Sequence, residues 1–276
     1  MSIPKVIYQT TYDLDNLRPE YIRNRKAIAE LNPSWQMYLY SDEAIIDFIK
    51  SEFDSEMLHY YKKINPKYGA ARADFFRYLI IYKFGGLYLD IKSTTTKSLD
   101  SVINDSDQFI TSTWPTNIDG VDISHWGRYS NLESSEYQNW FILSSANSKI
   151  LKEVITSVCK NLDRYDPFRQ GVGRMAVLET TGPIAYSRIV HKYVSKGEAR
   201  LASNEELGLK YSIYHIDSKG HIVGGSKNYR YLLSPLVNEP FLKSTIVSIF
   251  FYSKKVFSFI WRNLRGERRL GPWLKK

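Results

Sequence analysis

Two charged residues follow a short apolar run near the first third of the chain. Residues 87–89 form the run, and Asp90 and Lys92 come directly after it. A run of this length is too short for a helix and is typical of a buried strand. Ligands of open α/β sheets bind in the crevice outside the carboxyl ends of the strands. We therefore expect Asp90, Lys92 and the polar residues 93–96 to lie where the chain does chemistry.

A second pair of charged residues precedes this strand. Asp74 and Arg77 are three positions apart, so on a helix they share one face and can reach the same crevice. An ordinary ion pair within the helix, worth about 0.2–0.5 kcal/mol, explains the same spacing. Asp90 has an equally simple alternative as a turn residue that caps the next segment. The residues alone leave these alternatives open.

A helix and a glycine must position these side chains. Large apolar residues recur at helical spacings from Ala70 to Phe84, which predicts an amphipathic helix. Gly85 is expected to supply a left-handed cap at the C-terminal end of this helix. The strand then follows at once and carries Asp90 to its end.

The remaining segments predict an α/β protein. Strands are predicted for residues 3–9, 35–40, 108–111 and 139–143. Helices are predicted for residues 19–31, 148–161 and 183–195, and for a segment that Ser41 caps. Neither a Gly-x-Gly-x-x-Gly pattern nor a P-loop follows the first strand, which disfavours dinucleotide and ATP-type phosphate binding.

Composition indicates an ordinary globular protein with one large domain. The chain has 276 residues, of which 43% are hydrophobic and 24% are charged. Cys159 is the one cysteine, so no disulfide can form within the chain, which fits a reducing compartment. The first residues show no apolar signal region, so we expect no secretion by that route.

The net charge of +9 is concentrated at the end of the chain. Residues 241–276 contain nine Lys or Arg residues and one Glu, which gives +8 and leaves +1 for residues 1–240. Between residues 241 and 264 the longest stretch without a charge, residues 244–253, is too short for a bilayer span of about 20 residues. Dense apolar residues among the basic ones favour a basic amphipathic helix at an anionic membrane surface. A helix packed on the sheet with a solvated basic rim is the alternative.

Two segments resemble a known family. Residues 73–78, Ala-Asp-Phe-Phe-Arg-Tyr, and residues 85–90, Gly-Gly-Leu-Tyr-Leu-Asp, resemble the sugar-nucleotide-binding region of glycosyltransferase family 32. The same pattern is distantly similar to the glucosyltransferase domains of the large clostridial toxins. Shorter matches extend the resemblance over about residues 3–227, at Ile3 to Gln9, Asn32 to Trp35, Thr181 to Pro183 and His221 to Ser226.

The resemblance implies a GT-A-like α/β fold, with a mixed central sheet flanked by helices, over residues 1–240. It also implies a retaining hexosyltransferase, for which we expect a UDP-linked hexose donor. Matching to the family pattern assigns the hydroxyl groups of the donor hexose to Asp74, and the link between sugar and phosphate to Arg77. The remaining donor contacts are assigned to Tyr8 and Gln9 at the nucleoside and to Asn139 at the sugar.

The family's Asp-x-Asp motif reads Asp90-Ile91-Lys92 in this chain. In the family the motif holds Mn²⁺ or Mg²⁺, which prefer carboxylate and phosphate oxygens. Asp90 matches the first carboxylate, but protonated Lys92 has no lone pair for a cation. Either Asp90 and other groups hold the metal, or Lys92 itself contacts the diphosphate. By the same resemblance His221 would complete a metal shell, and Ser226 and Lys227 would face phosphate.

The long polar and aromatic segment 114–137 has little periodicity, so it is a lid, a binding loop or disorder. Its His125, Trp126, Arg128 and Tyr129 could grip an acceptor sugar. An aromatic surface loop with no binding role is the alternative.

The interpretation is hexose transfer to a saccharide acceptor, expected to be lipid-linked, in surface or capsular polysaccharide synthesis. We expect the protein to be peripheral at the cytoplasmic face of a membrane. A protein-modifying glycosyltransferase is one alternative, and a catalytically inactive sugar-nucleotide-binding or membrane-adaptor protein is another. No nucleic acid partner is expected, because the charge belongs to residues 241–276 and not to the catalytic part.

Overall fold

The computed structural model describes residues 2–118, 121–122, 136–214 and 229–264, which form a mixed α/β fold. The strands are β1 (Val6–Thr10), β2 (Gln36–Tyr40), β3 (Gly86–Leu89), β4 (Thr94–Thr95), β5 (Phe109–Thr111), β6 (Asn117–Ile118), β7 (Val121–Asp122), β8 (Phe141–Ser144), β9 (Arg200–Leu201) and β10 (Leu209–Lys210). The helices are α1 (Pro19–Leu31), α2 (Asp42–Glu52), α3 (Ser55–Lys63), α4 (Gly69–Phe84), α5 (Lys149–Asp163), α6 (Pro167–Gln170), α7 (Arg174–Thr180), α8 (Pro183–Val194), α9 (Asn204–Leu207) and α10 (Phe241–Leu264).

The central sheet has the strand order β2-β1-β3-β8-β5-β9. β1 pairs in parallel with β2 and β3, whereas β8 runs antiparallel to both β3 and β5. The expected mixed sheet is therefore confirmed. The antiparallel β8 brings its N-terminal end beside the C-terminal end of β3, with Phe141 opposite Leu89. Residues just before β8 thus meet residues just after β3.

Each face of the sheet packs on a separate hydrophobic cluster. Side chains alternate along a strand, so Ile7 and Leu87, which are register partners, both join the cluster that includes α1. Tyr8 and Tyr88, the next partners, join the larger cluster built around α4 and α5. The two tyrosines thereby lie on the face that carries α4.

Helix α4 is buried on nearly all sides, so the predicted amphipathic pattern is wrong. Every residue from Asp74 to Ile81 is buried. The reason is position, because α4 packs both on the sheet and on α5, whose Leu151, Val154 and Val158 belong to the same cluster. A helix enclosed in this way has no apolar stripe. Two charged residues, Asp74 and Arg77, are nevertheless enclosed with it.

The turn from α4 into β3 requires two glycines. Gly85 has φ +70° and ψ −171°, so it is not the left-handed helical cap that the sequence predicts, but an extended conformation open only to glycine. A Cβ at Gly85 would lie 2.6 Å from the Ala146 amide nitrogen. Gly86 has φ +99°, and a Cβ there would lie 2.5 Å from the Val6 carbonyl oxygen. The close approach of β1 leaves no room for a side chain.

We expect Gly86→Ala to lower the free energy of unfolding by at least about 2 kcal/mol, because it adds both a strained φ and a backbone clash. Denaturant titration followed by circular dichroism measures the change. Gly69→Ala is the matched control, since nothing lies within 4 Å of its added Cβ. The control should change stability by less than about 1 kcal/mol. Equal stabilities for the two variants would contradict the steric account of the turn.

Most other predicted elements are confirmed, with shifts at their ends. Helix α1 has the predicted bounds, and the Ser41 hydroxyl accepts a hydrogen bond from the Ala44 amide at 3.2 Å, as expected of a cap. The first strand begins at Val6 and not at residue 3, because the Val6 amide turns back to the Pro4 carbonyl at 2.9 Å. Within the predicted long loop, β6 and β7 form a short antiparallel pair.

Helix α10 presents many apolar side chains to solvent. Val247 is buried, and Phe250 contacts Phe168 with 5.2 Å between ring centroids, so one side of the helix packs on the domain. Phe257 and Trp261 are 68% and 50% exposed. Within the described ranges, none of the helices has the length and apolar character that a bilayer span requires.

Candidate active site

Five side chains from four segments meet at the C-terminal end of β3. Helix α4 contributes Asp74 and Arg77, the turn after β3 contributes Asp90, the segment before β8 contributes Asn139, and the turn between α7 and α8 contributes Thr181. The sheet dictates this meeting, since β8 is antiparallel to β3 and α4 enters β3 directly. We call these five residues, with Lys92, the carboxylate cluster.

Asp74 is a buried carboxylate with several hydrogen-bond partners. Its Oδ1 accepts a hydrogen bond from Asn139 Nδ2 at 3.0 Å, and its Oδ2 accepts one from the Thr181 hydroxyl at 3.1 Å. Arg77 Nη2 lies 3.5 Å from Oδ1. Burial raises the pKa of Asp74 to about 7, the charge of Asp90 adds to the rise, and Arg77 and the hydrogen bonds oppose it.

Arg77 joins the two carboxylates. Its Nη2 lies 3.1 Å from Asp90 Oδ1 as well as near Asp74, and its Nη1 donates to the Asn139 carbonyl. The guanidinium carbon lies 4.6 Å from the centre of the Tyr88 ring. Burial opposes the charged form, but Tyr88, Asp90 and Asp74 outweigh it and raise the pKa of Arg77. Asp74 and Arg77 are therefore more than an ion pair within one helix, because they are enclosed and extend to Asp90.

Asp90 and Lys92 form the more exposed end of the cluster. The side chains of Asp90 and Lys92 are 19% and 26% exposed, against 6% for Arg77. Lys92 Nζ lies 3.2 Å from Asp90 Oδ2 and 4.5 Å from the centre of the Tyr211 ring. Although burial works against it, the pKa of Lys92 is raised by Tyr211 and Asp90. Arg77 and Lys92 are thus both charged. Arg77 contacts one oxygen of Asp90, and Lys92 contacts the other.

The other predicted donor residues have different surroundings. Asn139 lies in the cluster and is buried, as its contacts with Asp74 and the Tyr78 hydroxyl require. Tyr8 is buried and stacks on Tyr38 with centroids 6.0 Å apart. Gln9 is fully buried, and its Oε1 accepts a hydrogen bond from Arg25 Nη1. Its Nε2 has no hydrogen-bond partner among the described residues. The nucleoside contacts of Tyr8 and Gln9 remain predictions.

The structure adds three residues that the sequence did not single out for the site. Tyr88 lies under Arg77, and its hydroxyl contacts Thr10 at 3.2 Å and Asp90 at 3.4 Å. The sequence could have indicated Tyr88. It alternates with Leu87 in the strand before Asp90, so its side chain lies on the opposite face of the sheet. Thr181 lies in a motif that the family resemblance includes. Tyr211 carries no local signal, because a long-range contact alone places its ring beside Lys92.

Seven predicted site residues lie outside the described residues. They are the phosphate and metal candidates His221, Ser226 and Lys227 and the acceptor candidates His125, Trp126, Arg128 and Tyr129. Their assignments remain predictions from the sequence.

The described part of the cluster does not suit a divalent cation. Each Asp90 oxygen already contacts a cationic side chain, and an ammonium occupies the second position of the motif. Across the described ranges, no three His, Cys, Asp or Glu side chains gather as a metal site would require. A dication at Asp90 would have to displace Arg77 and Lys92 or lie beside them, and both arrangements are electrostatically unfavourable.

The raised pKa of Asp74 predicts that the free energy of unfolding depends on pH. Its pKa is about 7 in the folded protein and about 4 in an unfolded chain, so its stabilising contribution is complete below about pH 4 and is lost as the pH rises through about 7. From pH 5 to pH 8 the wild type should lose at least about 2 kcal/mol more unfolding free energy than Asp74→Asn, since one pKa unit is about 1.4 kcal/mol. Denaturant titrations at both pH values measure this difference. Parallel losses in the two proteins would show that Asp74 does not titrate in this range.

Comparison with known proteins begins with a family model. Residues 19–109 match the model described as a glycosyltransferase sugar-binding region containing a DXD motif. The match includes Asp74, Arg77, Asp90 and Lys92 of the cluster, but not Asn139 or Thr181. The resemblance of residues 73–78 and 85–90 to a glycosyltransferase sugar-binding region is thereby confirmed, whereas family 32 and the shorter matches outside residues 19–109 remain predictions.

The curated relatives include fungal mannosyltransferases. The chain is 30% identical over 103 residues to inositol phosphoceramide mannosyltransferase 3 of Schizosaccharomyces pombe, a match that covers 37% of this chain and 28% of the relative. It is 24% identical over 212 residues to the initiation-specific alpha-1,6-mannosyltransferase of Candida albicans, covering 70% of this chain and 53% of the relative. The chain thus spans between about a quarter and a half of the length of these relatives.

Solved structures establish the fold. The PaToxG glycosyltransferase superposes with a TM-score of 0.51 at 14% identity, over 70% of this chain and 71% of that one. The ligand-free glycosyltransferase domain of the YGT toxin gives a TM-score of 0.50 at 8% identity, over 73% and 80% of the two chains. The expected GT-A-like fold is confirmed. Within that fold, residues 19–109 are similar to the DXD-containing sugar-binding region of glycosyltransferases.

Proposed function

We propose that this protein is a glycosyltransferase that transfers a hexose from a nucleotide sugar to a saccharide acceptor. The observation that carries the proposal is the buried Arg77 with a carboxylate on each side, at the ligand edge of the sheet and within the matched sugar-binding region. An ion pair within one helix would not require two enclosed charges and a third, half-buried one in one place. Enclosed charges of both signs are what a site for a polar, anionic donor needs.

The charges of the cluster suit the transfer chemistry. In the reaction the bond between the anomeric carbon and the β-phosphate oxygen breaks, and its electron pair stays on the departing nucleoside diphosphate. The acceptor oxygen bonds to the anomeric carbon, and its proton passes to the departing diphosphate. Arg77 would bridge sugar and phosphate, since a guanidinium matches phosphate oxygens. Asp74, already oriented by Asn139 and Thr181, would accept hydrogen bonds from hexose hydroxyls.

The donor that we propose is a UDP-hexose, and the transfer is proposed to retain the anomeric configuration. The names of the curated relatives support mannose as the hexose, so the test must include it. The protein is incubated with UDP-linked and GDP-linked hexoses, and released UDP or GDP is detected. We expect one of these sugar nucleotides to be consumed. NMR of the product then gives its anomeric configuration. Binding of a nucleotide without consumption of any sugar donor would favour the inactive adaptor instead.

We also propose that the acceptor is lipid-linked and that α10 holds the enzyme at an anionic membrane surface. Exposed Phe257 and Trp261 lie on a helix that carries Lys254 and Lys255, and the basic residues continue beyond it. Apolar residues among basic ones suit an interface rich in anionic lipid. The proposed division is a catalytic domain of residues 1–240 and a membrane-associating segment of residues 241–276. Its proposed setting is surface or capsular polysaccharide synthesis at the cytoplasmic face.

Charge reversal tests the membrane proposal. Replacing Arg262, Arg265, Arg268 and Arg269 by Glu should abolish co-sedimentation with vesicles of phosphatidylglycerol at low salt, because each basic residue near such a surface contributes about 1 kcal/mol. Activity on a soluble acceptor analogue should stay within about twofold of wild type. Wild-type binding should also weaken as salt rises, since the charges are screened over about 10 Å at 0.1 M salt. Undiminished vesicle binding by the variant would refute the docking role.

A further inference from the structure

The turn after β3 holds Lys92 in a fixed place. The Ser93 amide donates to the Asp90 carbonyl at 2.8 Å, and the Ile213 amide donates to the Lys92 carbonyl at 2.7 Å. The Ser93 hydroxyl donates to the Tyr211 carbonyl at 2.6 Å, and Asn24 Nδ2 donates to the Ser93 carbonyl at 2.8 Å. The backbone under Lys92 is thus anchored to two other segments, α1 and residues 211–213. These bonds fix the backbone from which the Lys92 side chain extends, and the contacts with Asp90 and Tyr211 place its ammonium.

The surroundings of Lys92 point its charge to the open end of the cluster. The ammonium lies between Asp90 Oδ2 and the Tyr211 ring, and the side chain keeps 26% of its surface exposed. Arg77, on the other oxygen of Asp90, is nearly enclosed. A ligand that reaches Asp90 from solvent therefore meets Lys92 first. Because Arg77 is shared between Asp74 and Asp90, Lys92 is the cation of the cluster whose charge faces an anion arriving from solvent.

We propose that Lys92, with Arg77, supplies the positive charge that neutralises the donor diphosphate, so that donor binding and transfer need no divalent cation. This inference rests on the proposed function. A diphosphate whose bond to the anomeric carbon breaks gains negative charge, and fixed cations stabilise it as a metal ion would. The Lys92 ammonium occupies the position at which the Asp-x-Asp motif would place a metal ligand. It is a charge with three hydrogen-bond donors, built into the chain.

The first experiment compares the full-length wild type in EDTA and in MnCl₂. Isothermal titration calorimetry with UDP and with GDP should identify the nucleotide that binds. The Kd of that nucleotide should differ by less than about threefold between EDTA and MnCl₂. Release of that nucleotide from its sugar donor should likewise persist in EDTA at no less than about a third of the rate in MnCl₂. Loss of nucleotide binding in EDTA, with recovery in MnCl₂, would overturn the inference.

The second experiment restores the motif. Lys92→Asp should bind the nucleotide at least about thirtyfold more weakly than wild type in EDTA, and MnCl₂ should restore much of that loss. Direct Mn²⁺ binding, followed by electron paramagnetic resonance, should appear in Lys92→Asp and be absent from wild type. Lys152→Asp, an exposed charge reversal on α5, is the matched control and should behave as wild type throughout. Thermal melts of both variants test whether they are folded.

The outcomes separate this inference from the proposed function. Turnover of a sugar nucleotide only in MnCl₂ would overturn the inference and leave the proposed function intact. Metal-independent nucleotide binding without any turnover would support the charge role of Lys92 and contradict the enzyme. Failure to bind either nucleotide in both conditions would overturn both. Wild-type affinity of Lys92→Asp in EDTA would show that Lys92 does not contact the diphosphate.

Discussion

Asp90→Asn is expected to lower kcat/KM for the sugar donor by at least about a hundredfold. The two oxygens of Asp90 each hold one cation, Arg77 at 3.1 Å and Lys92 at 3.2 Å. An asparagine keeps one oxygen and turns an amide N–H group toward the other cation, which must then move. Loss of one aligned electrostatic group at a transition state costs about 10²–10³ in rate. Initial rates of nucleotide release over a range of donor concentrations measure the effect.

Asp163→Asn controls for the chemical change alone. Asp163 holds Lys63 at 2.7 Å on the surface, so its substitution also breaks an ion pair but leaves the cluster untouched. The control should retain wild-type kcat/KM. Near-normal activity of Asp90→Asn would remove Asp90 from the reaction and return it to the alternative of a turn residue.

Arg77→Lys is expected to lower kcat/KM by at least a hundredfold as well, although the charge is conserved. A lysine ammonium is a single point charge and cannot contact Asp74, Asp90 and the Asn139 carbonyl together, as the guanidinium does. One buried acceptor is then left without its partner, so the free energy of unfolding should also fall by about 1–3 kcal/mol. Donor kinetics well below the melting temperature separate the catalytic effect from the loss of stability.

Arg72→Lys provides the control on the same helix. Arg72 is also largely enclosed, pairs with Asp42 at 3.7 Å and lies over the Tyr61 ring at 5.1 Å. Its substitution should reduce stability without changing kcat/KM. If Arg77→Lys behaves in the same way, Arg77 is structural, and the simpler explanation of an ion pair is correct.

Local patterns predicted the elements that place the cluster. The apolar run 87–89 predicted β3 and the position of Asp90, because a short apolar segment bounded by glycine and charge is informative by itself. The three-residue spacing of Asp74 and Arg77 predicted a shared helix face. The enclosure of that face was not predictable, since it depends on α5 and on the segment before β8 packing over it.

Other features depend on contacts that local patterns do not encode. The conformation of Gly85 follows from the nearness of Pro4 and Ala146, which belong to two distant segments. Likewise, the pairing of Lys92 with both Asp90 and Tyr211 needs the return of the chain more than a hundred residues later. The sequence could show that Lys92 departs from the motif. It could not show that Asp90 would have a cation on each oxygen.

The hydrogen bonds of Asp74 also bear on how the protein matures. Asn139 and Thr181 are 65 and 107 positions away from Asp74 along the chain. The entropy of closing long loops opposes contacts across such distances. A nascent chain ending near residue 109 would contain the whole matched region without the groups that orient its central carboxylate.

Donor affinity should therefore arise only in the completed domain. A ligand that binds the native state alone adds RT ln(1 + [L]/Kd) to the free energy of unfolding. At a concentration a hundred times Kd this amounts to about 2.7 kcal/mol, enough to reduce the unfolded fraction about a hundredfold. If the proposed sugar nucleotide binds only the native state, a higher concentration of it should slow proteolysis of the folded protein by protecting it from unfolding.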